Sequence, residues 1–184
     1  FEFIHYTDGS IELTKYIGND SSVDISSEIA GYPVSRIGAG AFENCAYVEN
    51  IFMWANVISI GAAAFRNCTK LKSFDVPSSV TIIEDSTFEN CTSLENIYIW
   101  GEITSIGNSA FRNCAALKSV DISSSCNSIG ASAFQGCISL ASIYFWGTNV
   151  TCGADAFANC PNLGELPTGI VYAKGGTSTA DNIA

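Results

Sequence analysis

The sequence predicts an α/β solenoid in which one structural unit, here called a rung, repeats at a fixed spacing of about 23 residues. The pattern Ile-Gly-x-x-Ala-Phe-x-x-Cys occurs in its clearest form at residues 106–114. Its first position returns at that spacing, at Ile37, Ile60, Ile83, Ile106, Ile129 and Cys152. A period of about 20 to 29 residues with regularly placed apolar positions is typical of leucine-rich repeats. We therefore expect a single quasi-linear domain over residues 1–184.

Residues 1–22 precede the regular pattern and are predicted to form an N-terminal cap. Two strand-like runs, 1–6 and 11–16, flank a turn that contains Gly9, which favours a β-hairpin. A solenoid needs such a cap because its first rung would otherwise expose an apolar face and an open sheet edge. His5, the only histidine, lies in this segment and is interpreted as structural.

Residues 23–36 are predicted to form a first rung with an inserted loop. Residues 23–26 match the strand of a rung, but Ile37 follows Val23 by 14 residues, where later rungs have 9. The five additional residues include Gly31, Tyr32 and Pro33, so we expect a loop that bulges from the edge of the first rung.

Residues 37–166 are predicted to form the regular rungs. In each rung a Phe and a Cys lie three residues apart, which suits a short helical or 3₁₀ turn on the convex side. An alternating run follows, as at Ile97 and Ile99 inward with Tyr98 and Trp100 outward, and predicts a short strand. Parallel strands near residues 50–54, 73–77, 96–100, 119–123 and 142–146 would form one curved sheet on the concave side.

Equivalent apolar residues are expected to stack as ladders inside the solenoid. One ladder consists of Phe42, Phe65, Phe88, Phe111, Phe134 and Phe157, and another of Val48, Leu71, Leu94, Leu117, Leu140 and Leu163. After residue 166 the pattern fades, and the Gly-, Ser- and Thr-containing segment 167–184 is interpreted as a C-terminal cap remnant or a tail.

Six of the eight cysteines occupy one position in successive rungs: Cys45, Cys68, Cys91, Cys114, Cys137 and Cys160. Neighbouring strands of a sheet lie about 4.8 Å apart, whereas bridged cysteines need Cβ atoms that converge to about 3.8 Å. Side chains that point in parallel do not converge. We therefore favour buried free thiols over disulfides or metal ligands. Cys126 and Cys152 replace a Val-type and an Ile-type core position.

Composition and motifs exclude several classes of function. A net charge of −10 with only 8 basic residues disfavours nucleic-acid binding. No run of 18 apolar residues occurs, so no membrane insertion is expected of this fragment. The chain opens without a leader and is interpreted as a mature or trimmed fragment from which any signal peptide has been removed. No catalytic motif and no metal-ligand spacing is present, so we expect a non-enzymatic protein without cofactors or metals.

A second period of two rungs is superimposed on the first. Residues 60–82 match residues 106–128 at 13 of 23 positions but match the adjacent rung, 83–105, at only 7. At the outward strand positions, aspartates alternate with aromatic residues, and all three tryptophans share one register. This stripe supplies the candidate ligand-binding residues, which are Trp54, Asp75, Tyr98, Trp100, Asp121, Tyr144 and Trp146.

Two interpretations of the stripe stay open. The aromatic side chains could cover the aliphatic residues of neighbouring rungs and improve sheet packing, or they could form a contact surface, because large aromatics supply area at low entropic cost. Opposite charges also alternate between rungs. They predict exposed cross-rung ion pairs worth about 0 to 1 kcal/mol each, formed among Glu49, Lys72, Glu95 and Lys118 and among Glu43, Arg66, Glu89 and Arg112.

The repeat Ile-Gly-x-x-Ala-Phe-x-x-Cys-x-x-Leu-x-x-Val-x-Ile, with Ser-Ser-Val-Thr-x-Ile from Ser78 onward closing a rung, resembles the BspA-like (Treponema-type) leucine-rich repeats over about residues 8–166. The resemblance implies a right-handed solenoid on secreted or cell-surface proteins, often of host-associated anaerobic bacteria, some of which are adhesins for matrix proteins or other cells. It offers no active site. Glu84, Thr87 and Asn149 depart from the pattern, at a Gly, an Ala and a core Val.

The function expected from the sequence is therefore a secreted or cell-surface binding module of the adhesin type. Its partner would be a host or bacterial surface protein. Two alternatives stay open, a module that binds an extracellular glycan through the aromatic stripe, and an inert spacer that presents another domain.

Thiol titration tests the interpretation of the cysteine ladder. In denaturant without reductant, we expect at least the six ladder cysteines to react as free thiols, because parallel side chains cannot form bridges between rungs. Fewer than six reactive thiols would contradict the ladder.

Overall fold

The computed structural model describes residues 1–147 and 150–164, together with the backbone of residues 170–172. The strands in chain order are β1 Glu2–His5, β2 Ile11–Lys15, β3 Ser22–Ile25, β4 Glu28–Ile29, β5 Tyr32–Ile37, β6 Asn50–Met53, β7 Ser59–Ile60, β8 Ser73–Val76, β9 Ile82–Ile83, β10 Asn96–Ile99, β11 Ser105–Ile106, β12 Ser119–Ile122, β13 Ser128–Ile129, β14 Ser142–Phe145, β15 Val150–Cys152 and β16 Ile170–Tyr172.

The front face of the solenoid carries the strands that the alternating pattern predicts. β6, β8, β10, β12 and β14 fall within the predicted ranges, and β8, β10, β12 and β14 pair in parallel in one sheet. In β10, Ile97 is buried and Tyr98 is exposed, as alternation along a strand requires. Ile99 is half-buried rather than buried.

The back face carries a second parallel sheet that the sequence analysis does not predict. Two-residue strands at the rung anchors, such as Ser105–Ile106 and Ser128–Ile129, pair in register across β9, β11, β13 and β15, and β16 pairs with β15. The anchor isoleucines are buried. Each rung therefore consists of a back strand, a turn segment, a front strand and a return to the next back strand.

The prediction of short helical turns is wrong, since the described part of the chain contains no helix. In the turn segment of one rung, the N–H groups of Ala63 and Phe65 donate to carbonyls of the next rung at 2.9 Å, while the N–H of Arg66 donates to Ala63 at 3.0 Å. Ala63 and Asn67 also have positive φ, 55° and 62°. Alternate N–H groups thus leave the segment, and left-handed residues interrupt it, so a helical hydrogen-bond series cannot form.

The core consists of the predicted ladders. Successive Phe rings of the Phe ladder stack with centroid separations of 5.1 to 5.5 Å, and all six rings are at most 1% exposed. The Leu ladder is buried along its whole length. Burial of each such side chain contributes about 1.5 to 3 kcal/mol relative to exposure.

All eight cysteines are free, which confirms the predicted thiols. Five of them donate their S–H to the carbonyl oxygen of the Phe 26 residues earlier, at 3.0 to 3.1 Å: Cys68, Cys91, Cys114, Cys137 and Cys160. Cys126 and Cys152 are buried core substitutions, as predicted. Cys45 is only half-buried, because the cap rather than another turn segment lies before it.

The N-terminal segment forms the predicted antiparallel hairpin of β1 and β2, and β2 continues in parallel pairing to β5. Tyr16 stacks on Phe42 at 5.3 Å and so extends the Phe ladder into the cap, where Phe1 contacts both rings. His5 packs edge-on against Tyr32 at 4.4 Å.

The inserted segment of the first rung forms a hairpin of its own. β4 pairs antiparallel with β5, and the turn between them contains Ala30 and Gly31, both with positive φ, at 53° and 83°. Two consecutive residues with positive φ are characteristic of the tight turn that suits the twist of a hairpin.

Both sheets are interrupted at one junction. On the front, β3 and β6 form a two-stranded sheet separate from β8, and on the back, β7 pairs with β5 while the next sheet begins at β9. Residues 50–60 are therefore not paired in either sheet with residues 73–83, which lie one rung later. The prediction of one front sheet is confirmed for β8, β10, β12 and β14 but is wrong for β6.

Glu84 explains the interruption on the back. It occupies the position of Gly61 and Gly130, where a Cβ would lie 2.5 Å and 2.4 Å from a backbone nitrogen of the preceding rung. Because Glu84 carries a Cβ, it cannot approach the preceding rung as closely as the glycines do. Thr87 departs from the repeat pattern at a position that holds Ala in other rungs. It fits this buried position because its hydroxyl donates a hydrogen bond to the Glu84 carbonyl at 2.7 Å.

Several sequence-based expectations fall on residues outside those described. They are the departure at Asn149 and the interpretation of 167–184 as a cap remnant or tail, apart from the pairing of β16 with β15.

Replacement of Gly130 by Ala tests the close approach of the rungs. The added Cβ would lie within 3 Å of three backbone atoms of the preceding rung, so we expect a loss of about 1 to 3 kcal/mol in the free energy of unfolding. Glu84→Ala is the matched control at an equivalent position that already tolerates a Cβ, and it should change stability by less than about 0.5 kcal/mol. Thermal and denaturant unfolding measure both variants. If Gly130→Ala and Glu84→Ala change the free energy of unfolding equally, this explanation is wrong.

Candidate ligand-binding surface

The predicted stripe lies on the outer face of the front strands, and we call it the aromatic face. Its large side chains are between 46% and 74% exposed: Phe52, Trp54, Tyr98, Trp100, Tyr144 and Trp146. The exposed aspartates Asp24, Asp75 and Asp121 lie between them, one strand away. Alternation along each strand turns Phe52, Tyr98 and Tyr144 outward, and the tryptophans follow in the same register one residue past the strand ends.

Hydrogen bonds orient the indole rings of this face. Trp54 donates its Nε1–H to Oδ1 of Asp24, and Trp100 donates to Oδ1 of Asp75, each at 3.1 Å. The Tyr98 and Trp100 rings lie stacked with centroids 6.2 Å apart. These bonds fix the edge of each indole while its surface stays open to solvent.

The two-rung period of the sequence corresponds to pairs of strands. β3 with β6, β8 with β10 and β12 with β14 are each paired over four residues. Between these pairs, β10 and β12 share one paired residue, and β6 and β8 belong to different sheets. The first strand of each pair carries the aspartate, and the second carries an outward Phe or Tyr and is followed directly by a tryptophan. The Trp-to-Asp hydrogen bonds therefore lie within pairs.

Ion pairs join adjacent strand pairs. Lys72 bonds Glu49 across the boundary between β6 and β8, and Lys118 bonds Glu95 across the boundary between β10 and β12, both at 2.6 Å. The remaining predicted cross-rung ion pairs lie on the turn segments, Arg66 with Glu43 and Arg112 with Glu89. All four are at least partly exposed, so each contributes about 0 to 1 kcal/mol.

A groove opens at each boundary between strand pairs. The first groove, of about 340 Å³, includes Met53, Trp54, Ala55, Asp75, Pro77 and Trp100. The second groove, of about 250 Å³, includes the residues 46 positions later, Ile99, Trp100, Gly101, Asp121, Ser123 and Trp146. The two grooves are therefore equivalent sites, and Trp100 is a wall of both.

The structure brings most of the predicted site residues together around these grooves. Trp54, Asp75, Trp100, Asp121 and Trp146 line them, whereas Tyr98 and Tyr144 lie on the aromatic face beside them. The predicted site does not include the groove residues Pro77 and Ser123. Their outward register was visible in the sequence, but their position at a groove depends on which strands pair closely.

A ladder of asparagines on the turn segments is also absent from the predictions. The side-chain amide of Asn67 donates to Asn44 at 2.7 Å, and Asn90 and Asn113 continue the series at 2.8 and 2.9 Å. These residues have φ between 58° and 63°, a conformation that asparagine tolerates better than most residues. The sequence pattern that could have predicted this ladder is an Asn directly before the ladder Cys in most rungs. The role of these asparagines is structural.

Among the described residues, few side chains could bind a metal ion or act as nucleophiles. Among them, no group of three His, Cys, Asp or Glu side chains could hold a metal ion. Burial raises the pKa of Cys91 to about 12 and that of Cys160 to about 11, so these thiols stay protonated near neutral pH and are poor nucleophiles. The described part of the chain also has no helix that could cross a membrane.

Comparisons with known proteins agree with the repeat architecture. Residues 35–164 match the family described as BspA type leucine rich repeat region, in six copies. A search of curated proteins found no match.

Several solved structures resemble this chain, and three of them are described here. The leucine rich repeat protein of T. pallidum is 29% identical with a TM-score of 0.83, and the match covers 94% of this chain and 82% of that one. A leucine rich cell surface protein from Faecalibacterium prausnitzii is 29% identical (TM-score 0.78, 92% and 52% covered). A leucine-rich repeat protein from Bacteroides ovatus is 26% identical (TM-score 0.75, 93% and 53% covered). This chain spans about half the length of the last two.

The contribution of Trp100 to stability tests whether the aromatic face serves mainly for packing. Trp100 is 70% exposed and its one described hydrogen bond is exposed, so Trp100→Ala should lower the free energy of unfolding by less than about 1 kcal/mol. Phe111→Ala, in the buried ladder, should cost about 3 to 5 kcal/mol. A loss for Trp100→Ala comparable to that of Phe111→Ala in thermal unfolding would assign the face to packing.

Proposed function

This chain belongs to the family of BspA-type leucine-rich repeat proteins, and we propose that it is a non-enzymatic binding module of the secreted or cell-surface type. Its partner is a host or bacterial surface protein, and the aromatic face is the contact surface. The residues that carry binding are Trp54, Asp75, Tyr98, Trp100, Asp121, Tyr144 and Trp146.

The observation that carries this proposal is the exposure of six large aromatic side chains on one regular surface. Tryptophan and tyrosine are the residues that most often dominate binding energy at protein interfaces, because each presents a large rigid area. Scattered exposed apolar residues need no explanation, but six large aromatic side chains gathered on one face favour an interaction site.

Pre-organisation favours the same conclusion. The indoles of Trp54 and Trp100 are already oriented by Asp24 and Asp75 before any partner arrives. Both tryptophans directly follow front strands, β6 and β10, which pair in parallel with a strand of the preceding rung. Binding would therefore require little ordering of these side chains, which reduces the entropic cost of association.

The described chemistry supports binding rather than catalysis. The single histidine packs against Tyr32, and most of the thiols are buried, with raised pKa values where a shift is resolved. A surface location is supported by the similar protein of Faecalibacterium prausnitzii, which is described as a leucine rich cell surface protein. An adhesive role fits the combination of a surface location with an extended contact face.

Binding by the protein to a panel of immobilised extracellular matrix proteins, host cells and bacterial cells tests the proposal. We expect Trp100→Ala to weaken binding to any partner found by at least ~1 kcal/mol, about fivefold, because Trp100 lies at the centre of the aromatic face. Surface plasmon resonance or cell-binding assays would give the affinities.

Tyr47→Ala is the matched control for this experiment. Tyr47 is 65% exposed, close to the 70% of Trp100, but it lies on a turn segment outside the front strands. Its replacement should leave binding unchanged. Complete absence of binding across the panel would favour the inert spacer, and equal losses in the two variants would place the contact surface elsewhere.

A further inference from the structure

We propose that the first and second grooves together bind a proline-rich protein segment in the polyproline II conformation that carries basic side chains. This inference rests on the proposed function and names the chemistry of the partner. It follows from the period of the grooves, the nature of their walls and their charge.

The spacing of the grooves matches this ligand. Equivalent groove residues are two rungs apart, which corresponds to about 9.5 Å where neighbouring strands keep the spacing of a sheet, as in the sheet of β8, β10, β12 and β14. A polyproline II helix advances about 3.1 Å per residue with three residues per turn, so it presents the same face about every 9.3 Å. One turn of such a helix therefore spans the distance between successive grooves. An extended β-strand repeats its side-chain direction at intervals of about 6.6 Å and would lose register.

The groove walls suit proline rings. Trp54 and Trp100 bound the first groove, and Trp100 and Trp146 bound the second, so each groove is a slot between two exposed indoles. Grooves lined by aromatic side chains are the usual docking sites for proline-rich segments, whose conformation is already formed before binding. The floor of the first groove adds apolar contacts from Met53 and Pro77.

The charge of the grooves selects a basic segment. Asp75 lies in the first groove, Asp121 and Glu102 line the second, and the described lining of both grooves contains no Lys or Arg. Trp100 occupies only Oδ1 of Asp75, which leaves Oδ2 to accept a hydrogen bond from a guanidinium or ammonium group. A net charge of −10 over the chain would also speed the approach of a cationic segment to the protein.

The sharing of Trp100 makes binding depend on the length of the segment. A peptide that covers one turn of polyproline II can fill one groove, whereas a longer one fills both at once. Linked contacts of this kind raise affinity with length as long as the spacing matches. Loss of Trp100 damages both grooves, but loss of Trp54 or Trp146 damages one.

Fluorescence titration tests this inference, because all three tryptophans of the protein line the grooves. The probe is a synthetic peptide of four Pro-Pro-Arg triplets. Its controls are a peptide of the same composition with the arginines in one block, a Gly-Gly-Arg peptide that lacks the preformed helix, and a linear β-linked glucose oligosaccharide. Titration calorimetry at low and high salt gives the affinities, and the variants are Trp54→Ala, Trp100→Ala, Trp146→Ala and Tyr47→Ala.

We expect the Pro-Pro-Arg peptide to bind at least ~tenfold more tightly than either control peptide, and high salt to weaken it. Trp100→Ala should lose at least ~tenfold, Trp54→Ala and Trp146→Ala should each lose less, and Tyr47→Ala should lose nothing. Thermal unfolding of each variant serves to check that a loss of peptide affinity does not result from unfolding of the protein.

Three results would overturn the inference. They are equal binding of the triplet and block peptides, a loss in Trp54→Ala as large as that in Trp100→Ala, and binding of the oligosaccharide without binding of the peptide. The last would assign the grooves to a glycan. If a surface protein binds through Trp100 but the peptide does not, this inference fails while the proposed function stands.

Discussion

The stacking of each rung on the next is the constraint on which the rest of this structure depends. A single rung is too short to enclose a core alone, so its apolar residues are buried only by their counterparts one rung away. Residues of the same type therefore stack on one another, as in the Phe ladder, where the ring centroids of successive rungs lie 5.1 to 5.5 Å apart. Where the backbones approach most closely, as at Gly61 and Gly130, only glycine leaves enough room. The same proximity lets turn segments exchange backbone hydrogen bonds between rungs instead of forming helices.

The outward residues repeat every two rungs, whereas the core residues repeat every rung, because the two sets make different contacts. Inward residues must match the neighbour on each side and so repeat every rung, whereas outward residues can complement one neighbour and differ from the other. Asp75 accepts a hydrogen bond from Trp100 within a strand pair, and Lys72 bonds Glu49 across the boundary to the preceding pair. Both interactions need unlike residues in adjacent rungs. A two-rung period is the simplest repeat that provides them.

This alternation also generates the grooves. Close backbone pairing within β8 and β10 or within β12 and β14 leaves looser boundaries between the pairs, and the indoles stand at these boundaries. The result is a surface with two equivalent slots, each bounded by indoles and lined by at least one carboxylate. Such a surface can bind a partner that has a regular repeat of its own, and its side chains need little ordering on binding.

From the sequence alone, the period of the rungs, the inward ladders, the free thiols, the front strands and the exposed aromatic stripe could be predicted, because each depends on spacing that repeats along the chain. Only the tertiary structure decided the conformation of the turn segments, since the spacing of Phe88 and Cys91 suits a helical turn equally well and backbone bonds to the next rung rule it out. It also decided the back sheet, its interruption at Glu84 and the two grooves. These features depend on how closely two backbones approach each other, and the order of side chains along one chain does not contain that distance.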